Sequence, residues 1–475
     1  MIVNTRRRPV MALAAVSCVA LALAGCSSKS TTASPAASGS SPASSTGTGS
    51  ASGSASGSAD CSAFQQYTGH SGTTVTMYST ITDVEQDRLN QSFADFTKCT
   101  GITVKYEGSQ EFETQIQVRV KGGKAPDIAL FPQPGLMAQF KDQLKPVPAA
   151  ALALAKTNYR PDTLKYGELG GTLYATPYDS NVKSFVWYSP KFFTDNSYTV
   201  PTTWDEMTAL SDKIVADHPD MKPWCAGIAS DAATGWPLTD WLEDVMLRTQ
   251  APTVYDDWLS HKIPFNDPKL VTALDKVGSI VKNDKYVNGA FGGVDSIATT
   301  TFKEAGLGIS TKGGATPTCA LMRQASFYAA NFPAGTNVAP DGDAFAFYLP
   351  TIDASLGKPV LGAGTFIAAF NDKPEVVALR TYMATKEYST GRVKLGTGWV
   401  SGNKNVPIDA YSSAIDKLSA QLLQDPKVTF RFDASDLMPA AVGSGSEWKQ
   451  LTNWITGQST KQTLDTIEAS WPKSS

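Results

Sequence analysis

Val75-Thr76-Met77-Tyr78-Ser79 is the first of three similar runs, followed by Ile102-Thr103-Val104-Lys105-Tyr106 and Asp127-Ile128-Ala129-Leu130-Phe131. The first alternates apolar and polar residues with a period of two, and all three have the make-up of strands. A helix is predicted between the first two. Thr82 and Glu85 have capping-box spacing, and Leu89, Phe93 and Phe96 then recur at helical intervals. Residues 111–120 read as a second helix. Strand and helix in regular alternation imply parallel pairing through right-handed crossovers, hence an open α/β sheet. Ligands on such sheets sit beyond the carboxyl ends of the strands. Segments 79–82, 108–111 and 131–135 are therefore candidate site segments on topology alone.

Upstream, Arg6, Arg7 and Arg8 precede an apolar run over 10–23, and small residues lead into Cys26. At roughly 14 residues that run is too short to span a bilayer, which takes about 20. Leu23-Ala24-Gly25-Cys26 resembles the lipobox of a bacterial lipoprotein signal peptide. The resemblance implies cleavage before Cys26, which then carries lipid (palmitate) and holds the chain at the outer face of the cell membrane. The alternative is an ordinary cleaved leader with an incidental cysteine. Residues 27–59 are almost wholly Ser, Gly, Ala, Thr and Pro, with Lys29 the one charge. Such a segment cannot bury apolar surface and reads as a flexible tether.

Downstream of Pro201, residues 204–217, 241–249, 269–283, 376–387, 410–424 and 461–469 read as helices. Short glycine-bearing runs lie between them, Leu307-Gly308-Ile309-Ser310 and Leu361-Gly362-Ala363-Gly364-Thr365. They suit strands crossing between lobes, or core strands of a single domain.

With 42% hydrophobic and 18% charged residues the chain can bury a core. A formal net charge of -3 gives nucleic acid no basic face to bind. Of six cysteines, Cys18 belongs to the leader and Cys26 to the lipobox, leaving Cys61, Cys99, Cys225 and Cys319. An even set outside the cell suggests disulfides, with three possible pairings. Cys61–Cys99 with Cys225–Cys319 is favoured, and four buried thiols are the alternative. No C-x-x-C pair exists and His70, His218 and His261 are scattered, so no metal and no cofactor are expected.

Catalytic signatures are sparse. There is no G-x-S-x-G elbow, no Walker A sequence and no dinucleotide glycine spacing. A glycosidase needs two carboxylates opposed across a cleft. Asp240, Glu243 and Asp244 instead share one helix face, where with Arg248 they suit a solvated face carrying an ion pair. Aromatic usage points to binding. Ten Trp and sixteen Tyr accompany amides and carboxylates in predicted loops, the combination that a sugar's apolar faces and hydroxyls require. Trp187, Trp236 and Trp399 sit in Gly- or Pro-flanked contexts compatible with a cleft.

The lipobox, the tether, the βαβαβ start ending in Ala125-Pro126-Asp127-Ile128 and the crossing segments together resemble extracytoplasmic solute-binding lipoproteins of carbohydrate ABC transporters. Pro132-Gln133-Pro134-Gly135-Leu136-Met137, Gly235-Trp236-Pro237-Leu238-Thr239-Asp240-Trp241 and Phe432-Asp433-Ala434-Ser435-Asp436-Leu437-Met438-Pro439 look most like α-glucoside-binding members of the maltose-type cluster. The resemblance implies an α/β, two-lobe periplasmic-binding-protein fold (type II, maltose-binding-like) with hinge segments and an interlobe cleft. It implies a binding function rather than an enzyme: a monomer that captures a sugar by hinge closure and passes it to ABC permease subunits. A secreted glycoside-acting enzyme, or a binder of a polyol or other polar solute, are the alternatives. The expected layout is a leader over 1–25, a lipidated tether over 26–60, a first lobe of 61–180 plus 313–363, and a second of 184–309 plus 366–475. Crossings would fall near 178–183, 309–313 and 362–365. Ligand contacts would come from Thr80, Glu111 and Gln133, from Tyr178, Asp179 and Asn181, and from Trp236, Asp240 and Trp399, with Gly313 and Gly364 admitting close backbone approach. For Asp179 and Asn181 the competing role is turn formation, and for Asp240 it is a helix N-cap. Arg431 and Asp433 are reserves that could instead pair with each other.

Overall fold

A computed structural model describes residues 61–425 and 427–473. The leader, Cys26 and the tether lie outside the described residues. Among the described residues no helix is long and apolar enough to cross a membrane.

The three runs that open the sequence form Thr74–Ser79, Thr103–Gly108 and Ile128–Phe131, paired in parallel with the first in the middle. Phe366–Ala369 joins antiparallel beside Ile128–Phe131, and Ala175–Pro177 closes the five-stranded sheet. Alternate side chains of Ile128–Phe131 enter different cores. Ile128 and Leu130 pack with Leu89, Phe93 and Phe96, whereas Ala129 and Phe131 pack with Phe112, Ile116 and Phe140. Both faces of the sheet are covered, so this strand reads as a continuous apolar run.

A second, antiparallel sheet is ordered Phe345–Tyr348, Phe185–Tyr188, Met322–Arg323. It belongs to a large core that includes Trp187, Trp224, Trp241, Trp258 and Trp454. Helix Trp204–Asp217 matches its expected bounds and buries Trp204, Met207, Leu210 and Ile214 at helical spacing. Between the two sheets lies a third, ordered Val400–Ser401, Asp179–Val182, Lys358–Ala363, Val428–Phe432. Its strands run on into the other two sheets: Ala175–Pro177, Asp179–Val182 and Phe185–Tyr188 are nearly continuous.

Strand pairing corrects the expected lobe boundaries. Phe366–Ala369, assigned to the second lobe, pairs in the first sheet, while Phe345–Tyr348, assigned to the first, pairs in the second. The chain therefore returns to the first lobe at 363–365 and does not cross at 309–313. The run at Leu307 is a 3-10 turn, Gly306–Ile309. A Cβ on Gly308 would strike Thr318 Oγ1, so its glycine serves packing within the second lobe rather than a crossing.

Both favoured disulfides are present, Cys61–Cys99 and Cys225–Cys319, with Cα separations of 5.3 and 5.7 Å. The first ties the start of the described chain to helix Ala94–Thr100, where Tyr67 and Phe64 pack on Phe96 and Tyr382.

The acidic face of the long helix also differs from expectation. It starts at Trp236, earlier than its charge pattern suggests, and Asp240, Glu243, Asp244 and Arg248 are all buried. The Asp244–Arg248 pair forms at 2.6 Å, but away from solvent. Arg323 from the adjoining sheet pairs with Asp240 at 2.9 Å and with Asp244, and Lys183 pairs with Asp240 at 2.8 Å and with Asp433. Cations supplied from distant sequence let these carboxylates leave water.

Candidate interlobe binding site

The strand ends and the connecting sheet enclose a cleft of about 200 Å3. From the first sheet come Thr80, Gln110, Glu113 and Gln133; from the connecting sheet Asp179, Asn181, Lys183 and Gly364; from the second lobe Ser230, Trp236, Phe302, Phe327 and Trp448. Arg392, Trp399, Asp433 and Asp436 complete the wall. The candidate segments at the strand ends thus do meet the cleft, as sheet topology requires.

One wall is aromatic. Trp236 is half-buried, with its ring centroid 5.2 Å from Phe302 and 6.0 Å from Phe327. The Lys183 ammonium stands 5.5 Å from the same ring. The opposite wall is polar and short of partners. Gln133 donates to Glu113 at 3.1 Å, leaving Glu113 Oε2 and Gln133 Oε1 buried without one. Asn181 Oδ1, Arg392 Nη1 and Trp399 Nε1 are likewise unpaired, and so is Trp448 Nε1 on the second-lobe side. Buried polar atoms normally have partners, and leaving one without costs about 1–3 kcal/mol. The residues that carry these three acceptors and three donors all line the one cleft.

The carboxyls respond to burial. It pushes Glu113 and Glu85 up to about 7, Arg392 opposing it at Glu85. Asp179 rises to about 6, again through burial, against hydrogen bonds from Thr365 and the charge of Arg392. For Asp433 burial is outweighed by the Lys183 ammonium, and its carboxyl is held below the usual range. Burial, then the charge of Asp433, pushes Asp436 well up.

The chain's relatives agree with this architecture. Residues 82–389 match the family model described as bacterial extracellular solute-binding protein. The osmoprotective compounds-binding protein GgtB of Synechocystis sp. is 40% identical over 84% of this chain and 92% of its own length. The alpha-glucosides-binding periplasmic protein AglE of Rhizobium meliloti is 36% identical over 85% of this chain and 88% of its own. Among solved structures, maltose-bound MalE3 of T. maritima superposes with a TM-score of 0.66 at 15% identity, over 84% of this chain and 98% of that one. The chain belongs to the bacterial extracellular solute-binding proteins. Its fold is the two-lobe, type II, maltose-binding-like one, and it is a binding protein rather than an enzyme, which removes the glycoside-acting alternative.

In this binding protein the cleft brings together Thr80, Gln133, Asp179, Asn181, Trp236, Gly364 and Trp399 from the expected set. Glu111 is not among them. It is exposed at the start of helix Phe112–Lys121, and Glu113, two residues on, lines the cleft instead. Tyr178 packs in the first core against Trp399, with centroids 5.2 Å apart. Asp240 neither caps its helix nor lines the cleft, because Lys183 and Arg323 hold it beneath the wall. Gly313 lies in an open loop with φ 67. Trp187 is fully buried and donates to the Gln324 carbonyl at 3.0 Å. Asp179 and Asn181 lie on a strand, where Asp179 accepts the Thr365 N–H at 2.6 Å. Gly364 lines the cleft, but a Cβ there would come within 2.5 Å of the Asp179 carbonyl, so the close approach it admits is to the neighbouring strand. Arg431 pairs with Asp256 at 2.7 Å rather than with Asp433.

Glu85, Lys183, Arg392, Phe302, Phe327 and Trp448 were not expected at the site. Position at the end of the first crossing is a signal for Lys183. Nothing in the local sequence marks Phe302 or Trp448. Two quoted motifs meet directly: a Cβ on Gly135 would strike the Met438 carbonyl, so glycine there allows 132–137 to lie against 432–439.

Proposed function

We propose that this protein captures a small, uncharged, hydroxyl-rich solute of the α-glucoside class outside the cell, and delivers it to the permease of an ABC importer while anchored through lipid on Cys26. The observation that carries this reading is that residues bearing unpaired buried acceptors and donors line the same cleft as an aromatic wall. Hydroxyls both donate and accept, so a polyhydroxylated solute suits a lining that offers acceptors on Glu113, Gln133 and Asn181 and donors on Arg392, Trp399 and Trp448. Its C–H faces suit Trp236 with Phe302 and Phe327. Contacts made to both lobes at once favour the closed form. The names of two relatives, one for alpha-glucosides and one for osmoprotective compounds, support this class and also a second reading, a compatible polyol.

The test is calorimetric titration of the full chain in detergent with maltose, trehalose, glucose and glycerol. Binding of a glucoside with no hydrolysis product, and about 1–3 kcal/mol weaker binding by Trp236→Ala, is the expected result. Heat with glycerol alone favours the polyol, and silence across the panel refutes the class. Membrane attachment is tested separately: Cys26→Ser should release the protein from the cell surface.

A further inference from the structure

Thr82, Asp83 and Gln110 stand on the first-lobe rim of the cleft, Ser230 and Lys303 on the second-lobe rim. Lys303 follows the bridge between Ala229 and Thr301, and its backbone carbonyl accepts from Tyr328 of the second core at 2.6 Å. Its ammonium donates across the gap to Thr82 Oγ1 at 3.0 Å and to the Asp83 carboxylate. Ser230 Oγ donates to Gln110 Oε1 at 3.3 Å. The amide nitrogen of Gln110 in turn donates to the Thr80 carbonyl and Thr82 Oγ1, at 3.3 and 3.2 Å. Each of these bonds joins protein to protein.

Local geometry on the first-lobe side is bent to this purpose. Asp83 has φ 58, a left-handed backbone that residues with a Cβ adopt rarely and chiefly where function holds them there. Thr82 makes no cap bond to the helix it precedes. Its hydroxyl contacts Asp83, Gln110 and Lys303 instead.

We propose that Lys303 and Asp83 are positioning residues that form a latch across the cleft mouth, biasing the two lobes toward closure independently of which solute is bound. The latch supplies part of the closure energy from the protein itself, so the solute's own contacts need supply less. Lys303 is partly exposed and Asp83 largely so, which makes the latch modest in strength and sensitive to salt.

The inference does not depend on the sugar reading, and its test needs no solute. Spin labels at Val118→Cys and Phe291→Cys, exposed on opposite lobes, report interlobe distance by pulsed dipolar spectroscopy on the full chain in detergent. At low salt the parent should show a closed population, reduced in 1 M salt. Asp83→Asn, which keeps a residue tolerant of left-handed backbone, should lower the closed-to-open ratio about 1.5- to fivefold. Lys303→Met should do the same, and the double variant should be no worse than either alone. A parent that shows only the open distance overturns the latch. So does an Asp83→Asn ratio equal to the parent's, or a double variant equal to the product of the single effects.

Discussion

Two stretches of this chain carry the same local signal and use it in opposite ways. Thr203-Trp204-Asp205-Glu206 forms a complete capping box: Thr203 accepts from the Glu206 N–H at 3.2 Å and Glu206 accepts from the Thr203 N–H at 3.2 Å. Thr82-Asp83-Val84-Glu85 has the same spacing and makes no side-chain cap bond. Its threonine turns to Lys303 and Gln110, and its glutamate lines the cleft. The first box lies on the outer surface of the second lobe, where its side chains serve the helix start and the adjoining Thr202. The second lies at a strand end facing the opposite lobe. Helix capping is worth about 1 kcal/mol, little enough for a binding site to override.

The two glutamates should therefore respond to pH with opposite sign, and this is the largest effect expected from the comparison. Burial raises Glu85 to about 7, with Arg392 opposing, so the folded form holds its proton more readily than the unfolded chain. Its contribution is fully present below the unfolded value and is lost as pH rises toward 7. Glu206 is held below its usual range by hydrogen bonds from Thr202 and Thr203. Its contribution is present above the unfolded value and is lost as pH falls through the folded one. Glu85→Gln should flatten the decline in stability between pH 5 and 7 and raise stability at pH 8 by about 1–3 kcal/mol. Glu206→Gln should instead flatten the loss below pH 5. Urea midpoints measured from pH 4 to pH 8 check both, and parallel curves for the two variants would erase the distinction.

What was legible in the sequence follows the same division. The first sheet was readable because the alternation of Val75–Ser79 and the apolar run of 128–131 are local consequences of which faces are buried. The strand-end segments include Thr80 and Gln133, which line the cleft, and also Glu111, which is exposed outside it. Asp240 was misplaced because its partners, Lys183 and Arg323, lie on other elements and no helix-face rule can see them. Phe302 and Trp448 reach the cleft through tertiary packing alone. The lobe boundaries failed for a related reason. A glycine-bearing apolar run looks the same whether it crosses between lobes, as at Gly364, or turns against its own lobe, as at Gly308.

Next in size is the working box. Thr203→Ala removes an acceptor for the Glu206 N–H and should cost about 1 kcal/mol of global stability, with solute affinity unchanged. Thermal denaturation with parallel calorimetry checks it. A loss below a few tenths of a kcal/mol would mean that burial of Trp204 and Met207 alone holds the helix start.

Smallest of all should be the same substitution in the diverted stretch. Thr82→Ala removes no cap bond, since none exists, and helix Asp83–Gln91 buries only Leu89. The lost hydroxyl bonds are those to Asp83, Gln110 and Lys303, and the rim is open enough for water to replace them. Global stability should therefore change by no more than about 0.5 kcal/mol, while the interlobe distance distribution shifts toward open. That separation decides between two accounts of Thr82. If Thr82→Ala instead costs as much as Thr203→Ala and leaves the lobe distances where they were, the threonine is an ordinary helix cap and its tie to Lys303 is incidental.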